Sequence, residues 1–222
     1  MILAAGRGER MQHLTENTPK ALLRVADHYL IEYPIFSLRK MGVKEIVINV
    51  CYFADKIKEV LGDGSRYGVR IIYSDEEIAL ETGGGIFQAL PFLGSDPFIV
   101  LSCDVLTDYP LKQLPTLSNQ LAHLILVDNP IYHPKGDFGL EKNKIIFHEK
   151  NTLTFGNIGI YRPELFAGCQ PGKFRLGDLL RAAIQQNAIT GEHYTGFWKN
   201  LGTPDDLETL HVVPDSLLLD PI

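Results

Sequence analysis

The 222-residue chain has three cysteines, one tryptophan, and no apolar run near the roughly 18 residues that a membrane-crossing helix needs. Cys51, Cys103 and Cys169 lie far apart, are odd in number and form no CxxC pair. That excludes a disulfide scaffold and leaves three reduced thiols in a cytosolic protein as the expectation. The seven histidines form no HExxH or other close ligand pair, so a zinc site is not expected. No long Lys/Arg run occurs, and 21 basic against 27 acidic side chains give a net charge of −6. This balance argues against a nucleic-acid coat and against a binder of anionic membranes. The first residues carry no basic segment followed by a long apolar stretch, so neither a standard export signal nor a membrane span is expected, and the location read from this is cytoplasmic. What remains is ordinary: 45% hydrophobic and 22% charged residues, enough for a core needing no covalent staples.

Hydrophobic patterning supplies the architecture. Met1 to Ala5 reads as a short buried strand leading directly into Gly6-Arg7-Gly8. Apolar side chains at Leu30, Ile31, Ile35, Leu38 and Met41 form a helical stripe that Gly42 can end. The β-branched run Glu45–Val50 reads as a buried parallel strand, Ala54–Leu61 as a helix, and Val69–Tyr73 as a strand. A helix over Thr82–Leu90 and a strand over Phe98–Ser102 follow, the latter ending at Cys103-Asp104. This alternation predicts an α/β fold with a mostly parallel sheet flanked by helices. Beyond residue 110, Leu121–Val127 reads as a strand, while 138–147 and 154–161 suggest a small antiparallel addition. Leu176–Ala188 reads as an amphipathic helix, and Thr203-Pro204 as a helix cap and first turn. The residues from Val213 onward read as a loosely docked tail.

Ligands of parallel sheets bind at the carboxyl ends of strands, where strand order switches. Both Gly6–Arg10 and Asp104 directly follow strands. The glycine loop is not a dinucleotide fingerprint, because Met11 stands where GxGxxG needs its third glycine, and GxxxxGK[ST] is also absent. In residues 1–24 the cations Arg7, Arg10, Lys20 and Arg24 outnumber Glu9 and Glu16, so an acidic protein concentrates positive charge beside a loop suited to phosphate. Taken alone, such a cluster also fits a solvated surface.

Longer motifs decide between these readings. Leu3-Ala4-Ala5-Gly6-Arg7-Gly8-Glu9-Arg10-Met11-Gln12-His13-Leu14-Thr15, followed by Pro19-Lys20, resembles the LxxGxGxRxxxLT and PK pattern of the sugar-phosphate nucleotidyltransferases. The likeness extends through Leu80 to Ile86, Asp104, Asn129-Pro130, Gly136-Asp137-Phe138, Glu149-Lys150 and Trp198 to Pro204. It is strongest to the short uridylyltransferases of cell-wall recycling, which share LETGGGIF and GDF and lack a long C-terminal repeat domain. The resemblance implies a Rossmann-like, GT-A-like nucleotidyltransferase domain spanning 1–222, with 1–110 serving the nucleotide and 111–222 the sugar phosphate. It implies Mg²⁺-dependent transfer of UMP from UTP to a sugar 1-phosphate, with N-acetylmuramate α-1-phosphate as acceptor. A monomer is expected on likeness alone.

The same resemblance assigns roles. Gly6, Gly8, Glu9 and Arg10 would wrap the nucleotide phosphates, and Lys20 would sit on the α-phosphate. Glu81, Thr82, Gly83 and Gly84 would approach base and ribose, and Asp104 would hold the metal. Asp137, Asn157, Glu149 and Lys150 would meet the sugar phosphate, although Glu149-Lys150 also fits a solvated charge pair. A sugar 1-phosphate is already an anionic nucleophile, so the absence of a Ser, His or Cys nucleophile arrangement suits this chemistry. One departure stands out. The family's late W-x-D-x-G-T-P element has Asp as second metal ligand, whereas this chain has Asn200. Asn offers a neutral oxygen and weaker metal affinity. Two alternatives stay open: a mannose-1-phosphate guanylyltransferase, since LETGGG also resembles that group's LGTAG, and, given Asn200, a non-catalytic nucleotide-sugar-binding protein.

Overall fold

The computed structural model describes residues 1–147, 152–210 and 213–217. Its strands are β1 (Ile2–Leu3), β2 (Arg24–Val25), β3 (His28–Tyr29), β4 (Glu45–Val50), β5 (Arg70–Asp75), β6 (Phe98–Ser102), β7 (Val105–Thr107), β8 (Ala122–Val127), β9 (Phe138–Glu141), β10 (Lys144–Ile146), β11 (Thr152–Tyr161), β12 (Ile189–Tyr194) and β13 (Trp198–Asn200). Its α-helices are α1 (Glu32–Met41), α2 (Ala54–Leu61), α3 (Glu81–Leu93), α4 (Leu176–Gln185) and α5 (Pro204–Glu208). None is long and apolar enough to cross a membrane.

Nine strands form a mixed sheet in the order β5-β4-β1-β6-β11-β8-β12-β10-β9. The first four are mutually parallel. From β1 the chain moves outward to β4 and β5, then crosses to the other side of β1 to make β6, so strand order switches between β1 and β6. The antiparallel pairing expected over 138–161 is present, but β11 is no appendage. It lies in the middle of the sheet, antiparallel to β6 on one side and β8 on the other.

Alternating side chains divide the core between the two faces. Ile46, Ile48 and Val50 of β4 pack with Ile35, Leu38, Ile57 and Leu61 from α1 and α2. Val47 faces the other way, into a cluster holding Ile86 and Ala89 of α3 and Leu180, Ala183 and Ile184 of α4. Helices thus cover both faces, as a β-branched strand buried on both sides requires. Gly42 ends α1 in the left-handed conformation (φ 104°). Thr203 caps α5 in a full capping box with Asp206. At the end of the chain, Leu217 is buried in a third cluster with Met11 and Tyr33, and Lys40 donates to the Ser216 carbonyl at 2.7 Å.

Candidate active site

A cavity of about 560 Å³ opens at the carboxyl ends of β1, β4 and β6, beside the switch in strand order. Its floor is the glycine loop after β1. Gly8 has φ 72°, and a Cβ there would lie 2.9 Å from Lys20 Cβ, so both conformation and space demand glycine. The Gly8 carbonyl accepts hydrogen bonds from the Thr15 hydroxyl at 3.0 Å and the Met11 N–H at 2.8 Å. Met11, in place of a third glycine, is fully buried and anchors the loop in the core. Thr15 and Met11 therefore hold the turn, while Gly6, Glu9 and Arg10 remain exposed at its rim.

Lys20 is buried and ion-paired with Asp104 across the cavity floor. Of the four cations counted in residues 1–24, Arg7, Arg10 and Lys20 line the cavity. Arg24 does not; it donates to the Asp27 carbonyl and stacks over Tyr29. Arg7 lies over the Tyr52 ring and 3.9 Å from Glu9. Arg10 has no carboxylate within 4.0 Å among the described residues. Cys103 is buried beside Asp104, and burial pushes its thiol up to about 12, so it offers no nucleophile. All three cysteines are unpaired.

Asp104 and Asn200 are brought together by the β7–β13 ladder, in which Asn200 pairs with Val105 and the Leu201 N–H donates to the Asp104 carbonyl at 2.9 Å. Asn200 Oδ1 is buried and has no hydrogen-bond partner. The orphaned Asn200 amide oxygen, on a residue lining a neighbouring cavity, and the Asp104 carboxylate, lining the first, are two hard oxygen donors on segments joined by this ladder. They fit a divalent cation that takes its other ligands from water and phosphates. Among the described residues no cluster of three or more His, Cys, Asp or Glu suits a metal.

The opposite wall is the start of α3. Glu81, a non-glycine residue at φ 62°, and Thr82 face the cavity, and Lys173 Nζ lies 3.8 Å from Glu81 Oε1. Gly83 and Gly84 are not part of this wall. A Cβ on Gly83 would lie 2.5 Å from the Phe174 ring, and one on Gly84 would collide with the Gly172 carbonyl. Their smallness serves packing of α3 against residues 172–175, a demand separate from the approach to base and ribose expected of both. Asn49 and Glu76 also line the cavity and had not been expected there. Burial raises the Glu76 carboxyl above the usual carboxylate range, opposed by hydrogen bonds from the Leu80 N–H and the Asn49 amide. A lone Asn in the apolar run Glu45–Val50 was the available signal.

A second cavity, about 530 Å³, adjoins the first, and both are bounded by Arg10, Glu81, Thr82 and Ser102. Asp137 and Asn157 line it as expected. Asp137 accepts from the Phe155 N–H at 2.8 Å and lies 3.2 Å from His133 Nε2. Asn157 has φ 56° and sits where the β11–β8 register shifts between Phe155 and Gly159. The Trp198 indole N–H holds this bulge through the Gly156 carbonyl at 2.9 Å. Arg175 and Arg181 also line this cavity, and neither has a carboxylate within 4.0 Å among the described residues. Tyr132 is set close enough to Asp206, Arg10 and Asp104 to feel their charges; its phenol is raised chiefly by burial. Glu149 and Lys150 lie outside the described residues. Both halves of the chain contribute to each cavity: Lys173 and Gly202 line the first, and Leu3 and Val100 the second.

The comparisons agree with this geometry. The chain is 47% identical over 213 residues to the N-acetylmuramate α-1-phosphate uridylyltransferase of Neisseria meningitidis serogroup B, covering 91% of this chain and 92% of that protein. It is 31% identical to the protein of the same name from Caulobacter vibrioides, covering 92% and 91%. The inositol-1-phosphate CTP transferase structure from T. maritima superposes with a TM-score of 0.80 at 21% identity, covering 94% of this chain and 90% of that one, which shows the shared fold. Residues 1–213 match the family described as nucleotidyl transferase, and with the glycine loop, the Lys20–Asp104 pair and the two joined cavities the chain belongs to that family.

Proposed function

We propose that the protein transfers UMP from UTP to N-acetylmuramate α-1-phosphate, releasing pyrophosphate, in the cytoplasm and with Mg²⁺ as its divalent ion. The carrying observation is the pair of adjoining cavities that meet at Arg10, the first edged by a glycine loop and four cations, Arg7, Arg10, Lys20 and Lys173. In this reading the first cavity takes the triphosphate and the second the sugar phosphate. A phosphate oxygen of the acceptor forms a bond to the α-phosphorus while the bond from that phosphorus to the bridging oxygen breaks, and pyrophosphate leaves in line. No proton needs to be removed, so positioning and charge neutralisation carry the rate. Arg10 faces the point where the two anions meet, and Lys20 lies at the α-phosphate. Each such cation is worth about 3 kcal/mol of transition-state stabilisation. Asp104 and Asn200 would hold Mg²⁺, which supplies further charge neutralisation to the phosphates when bound.

Acceptor choice rests on Arg175 and Arg181. N-acetylmuramate carries a lactyl carboxylate besides its phosphate, and guanidinium groups suit a second anion at that site. A neutral sugar such as mannose leaves them unmatched. Asp137 and Asn157 would meet the sugar hydroxyls; Glu149-Lys150 rests on the sequence resemblance.

Pyrophosphate release should be measured with four nucleoside triphosphates against N-acetylmuramate α-1-phosphate, N-acetylglucosamine 1-phosphate and mannose 1-phosphate. We expect at least a tenfold preference for UTP over GTP. The R175A/R181A double substitution should lower kcat/KM at least tenfold for the muramate and less than threefold for N-acetylglucosamine 1-phosphate. Preference for GTP with mannose 1-phosphate selects the guanylyl alternative. UTP binding without turnover on any acceptor selects the non-catalytic one.

A further inference from the structure

We infer that Glu76 and Asn49 are positioning residues that set the distance between the two walls of the nucleotide cavity. This rests on the first cavity being the nucleotide site. The two side chains form a buried bridge. The Ala4 N–H, where the glycine loop begins, donates to Asn49 Oδ1 at 2.9 Å. Asn49 Nδ2 donates to Glu76 Oε1 at 2.7 Å. Glu76 Oε2 accepts from the Leu80 N–H at 2.9 Å, at the residue preceding α3. Asn49 is 3% exposed and Glu76 6%, so water does not substitute for a lost partner. The Glu76 N–H is itself held by the Val50 carbonyl at 2.8 Å. Gly85 completes the fit, because a Cβ there would lie 2.6 Å from Glu76 Oε1 and 2.7 Å from Asn49 Nδ2.

The order of donors and acceptors along this bridge is fixed. Ala4 and Leu80 each present a backbone N–H, one at either end. Between them stand an amide and a carboxylate, which together present one donor group and three acceptor oxygens. Asn49 must turn its oxygen to Ala4, so its amino group faces Glu76. Glu76 must then accept at both oxygens, which a carboxylate does and a carboxamide cannot. With Gln at 76, every orientation leaves one donor facing another. With Asp at 49 and Glu at 76, two carboxylates abut. With Asp at 49 and Gln at 76, the bridge is complete again: Asp accepts from Ala4 and from the Gln amino group, and the Gln oxygen accepts from Leu80. Net charge is unchanged.

The glycine loop and the start of α3 supply opposite walls of the first cavity and carry Arg10 and Thr82. Arg10 and Thr82 border both cavities, but Asn49 and Glu76 line the first and not the second, so a broken bridge loosens nucleotide binding before it touches the acceptor. The experiment compares parent, E76Q, N49D and N49D/E76Q by UTP calorimetry, by separate KM values for UTP and acceptor, and by melting temperature. We expect E76Q and N49D each to raise the UTP Kd and KM at least tenfold, with acceptor KM within threefold of the parent. The double variant should return to within threefold of the parent. The positioning role is overturned if the parent binds UTP and E76Q matches it, if the double variant is no better than the singles, or if both KM values rise together. A parent that neither binds nor turns over UTP overturns instead the functional reading on which the role depends.

Discussion

Asn200 is where this chain departs from the motif it otherwise matches, and the structure gives that departure a physical setting. Its Oδ1 is buried without a hydrogen-bond partner among the described residues, on a strand paired with the one that follows Asp104. An amide there contributes a dipole where a carboxylate would contribute a full charge, so Asp104 alone supplies negative charge from the protein. Divalent ions in such sites depend on few protein carboxylates plus substrate phosphates. We therefore expect Asn200→Asp to lower the Mg²⁺ half-saturation severalfold and to raise turnover most at low Mg²⁺. UTP affinity without metal should stay equal or weaken slightly. A Mg²⁺ titration identical for parent and variant removes position 200 from the metal site. At this scale the sequence was informative wherever chemistry sat inside a long motif: Gly8, Arg10, Lys20, Asp104, Asp137 and Asn157 all line the cavities. It was silent on Glu76, Arg175 and Arg181, whose importance comes from tertiary neighbours. It gave no sign that Gly83 and Gly84 pack against residues 172–175, because close packing and close approach of a ligand demand the same residue.

Among the elements, the strand carrying Trp198 matters most to the second cavity. β13 pairs with β7, setting Asn200 opposite Val105, and the same strand sends the Trp198 indole to the Gly156 carbonyl. That bond pins the bulge in β11 at which Asn157 takes its left-handed conformation, a state costing about 1 kcal/mol or more for a non-glycine residue. Trp198→Phe keeps the apolar bulk and removes the donor. We expect a loss of about 1 kcal/mol of stability and an acceptor KM raised three- to tenfold, with UTP KM unchanged. Equal rises in both constants would show that the indole supports the site only generally. Elements with strong periodicity were legible to the residue, as β4, α2 and β6 show. β12 was missed and the preceding helix read as too long. Its segment, Ile189 to Tyr194, alternates burial but fills its faces with Gly191, Glu192 and His193, so hydrophobicity alone gives no strand signal.

For the whole molecule, the long central strand β11 joins the parallel half of the sheet to β8. Sequence spacing gave the parallel half but not the insertion of β11 between β6 and β8, because antiparallel partners leave no mark of which neighbours they choose. His123 of β8 is buried within this sheet, with Nδ1 2.9 Å from Thr190 Oγ1. Burial holds its imidazole below the ordinary value of 6.5, Glu192 opposing. The unfolded chain therefore binds the proton more tightly, and stability present above about 6.5 is lost as pH falls through and below it. Glu76 acts in the opposite sense, since its raised carboxyl favours the folded state as it protonates. The informative comparison is thus between variants. We expect the parent to lose a few degrees more in melting temperature than His123→Gln between pH 7.5 and 5.5, which corresponds to about 1 kcal/mol in a domain of this length. Parallel melting curves for the two across that range would show that His123 titrates alike folded and unfolded.

The three glycines at the head of α3 weaken that turn by about 1 kcal/mol each relative to alanine. The turn is instead fastened from outside: the N–H groups of Gly83 and Gly84 both donate to the Phe174 carbonyl, at 3.0 and 3.1 Å, and Thr82 Oγ1 accepts from the Leu176 N–H at 3.1 Å. Residue 176 opens α4, and Arg175 just before it reaches the second cavity. A helix that borrows its stiffness in this way transmits it too. Thr82 borders both chambers and Arg175 the second, so a turn weak in helicity of its own is the shared hinge-post of their walls.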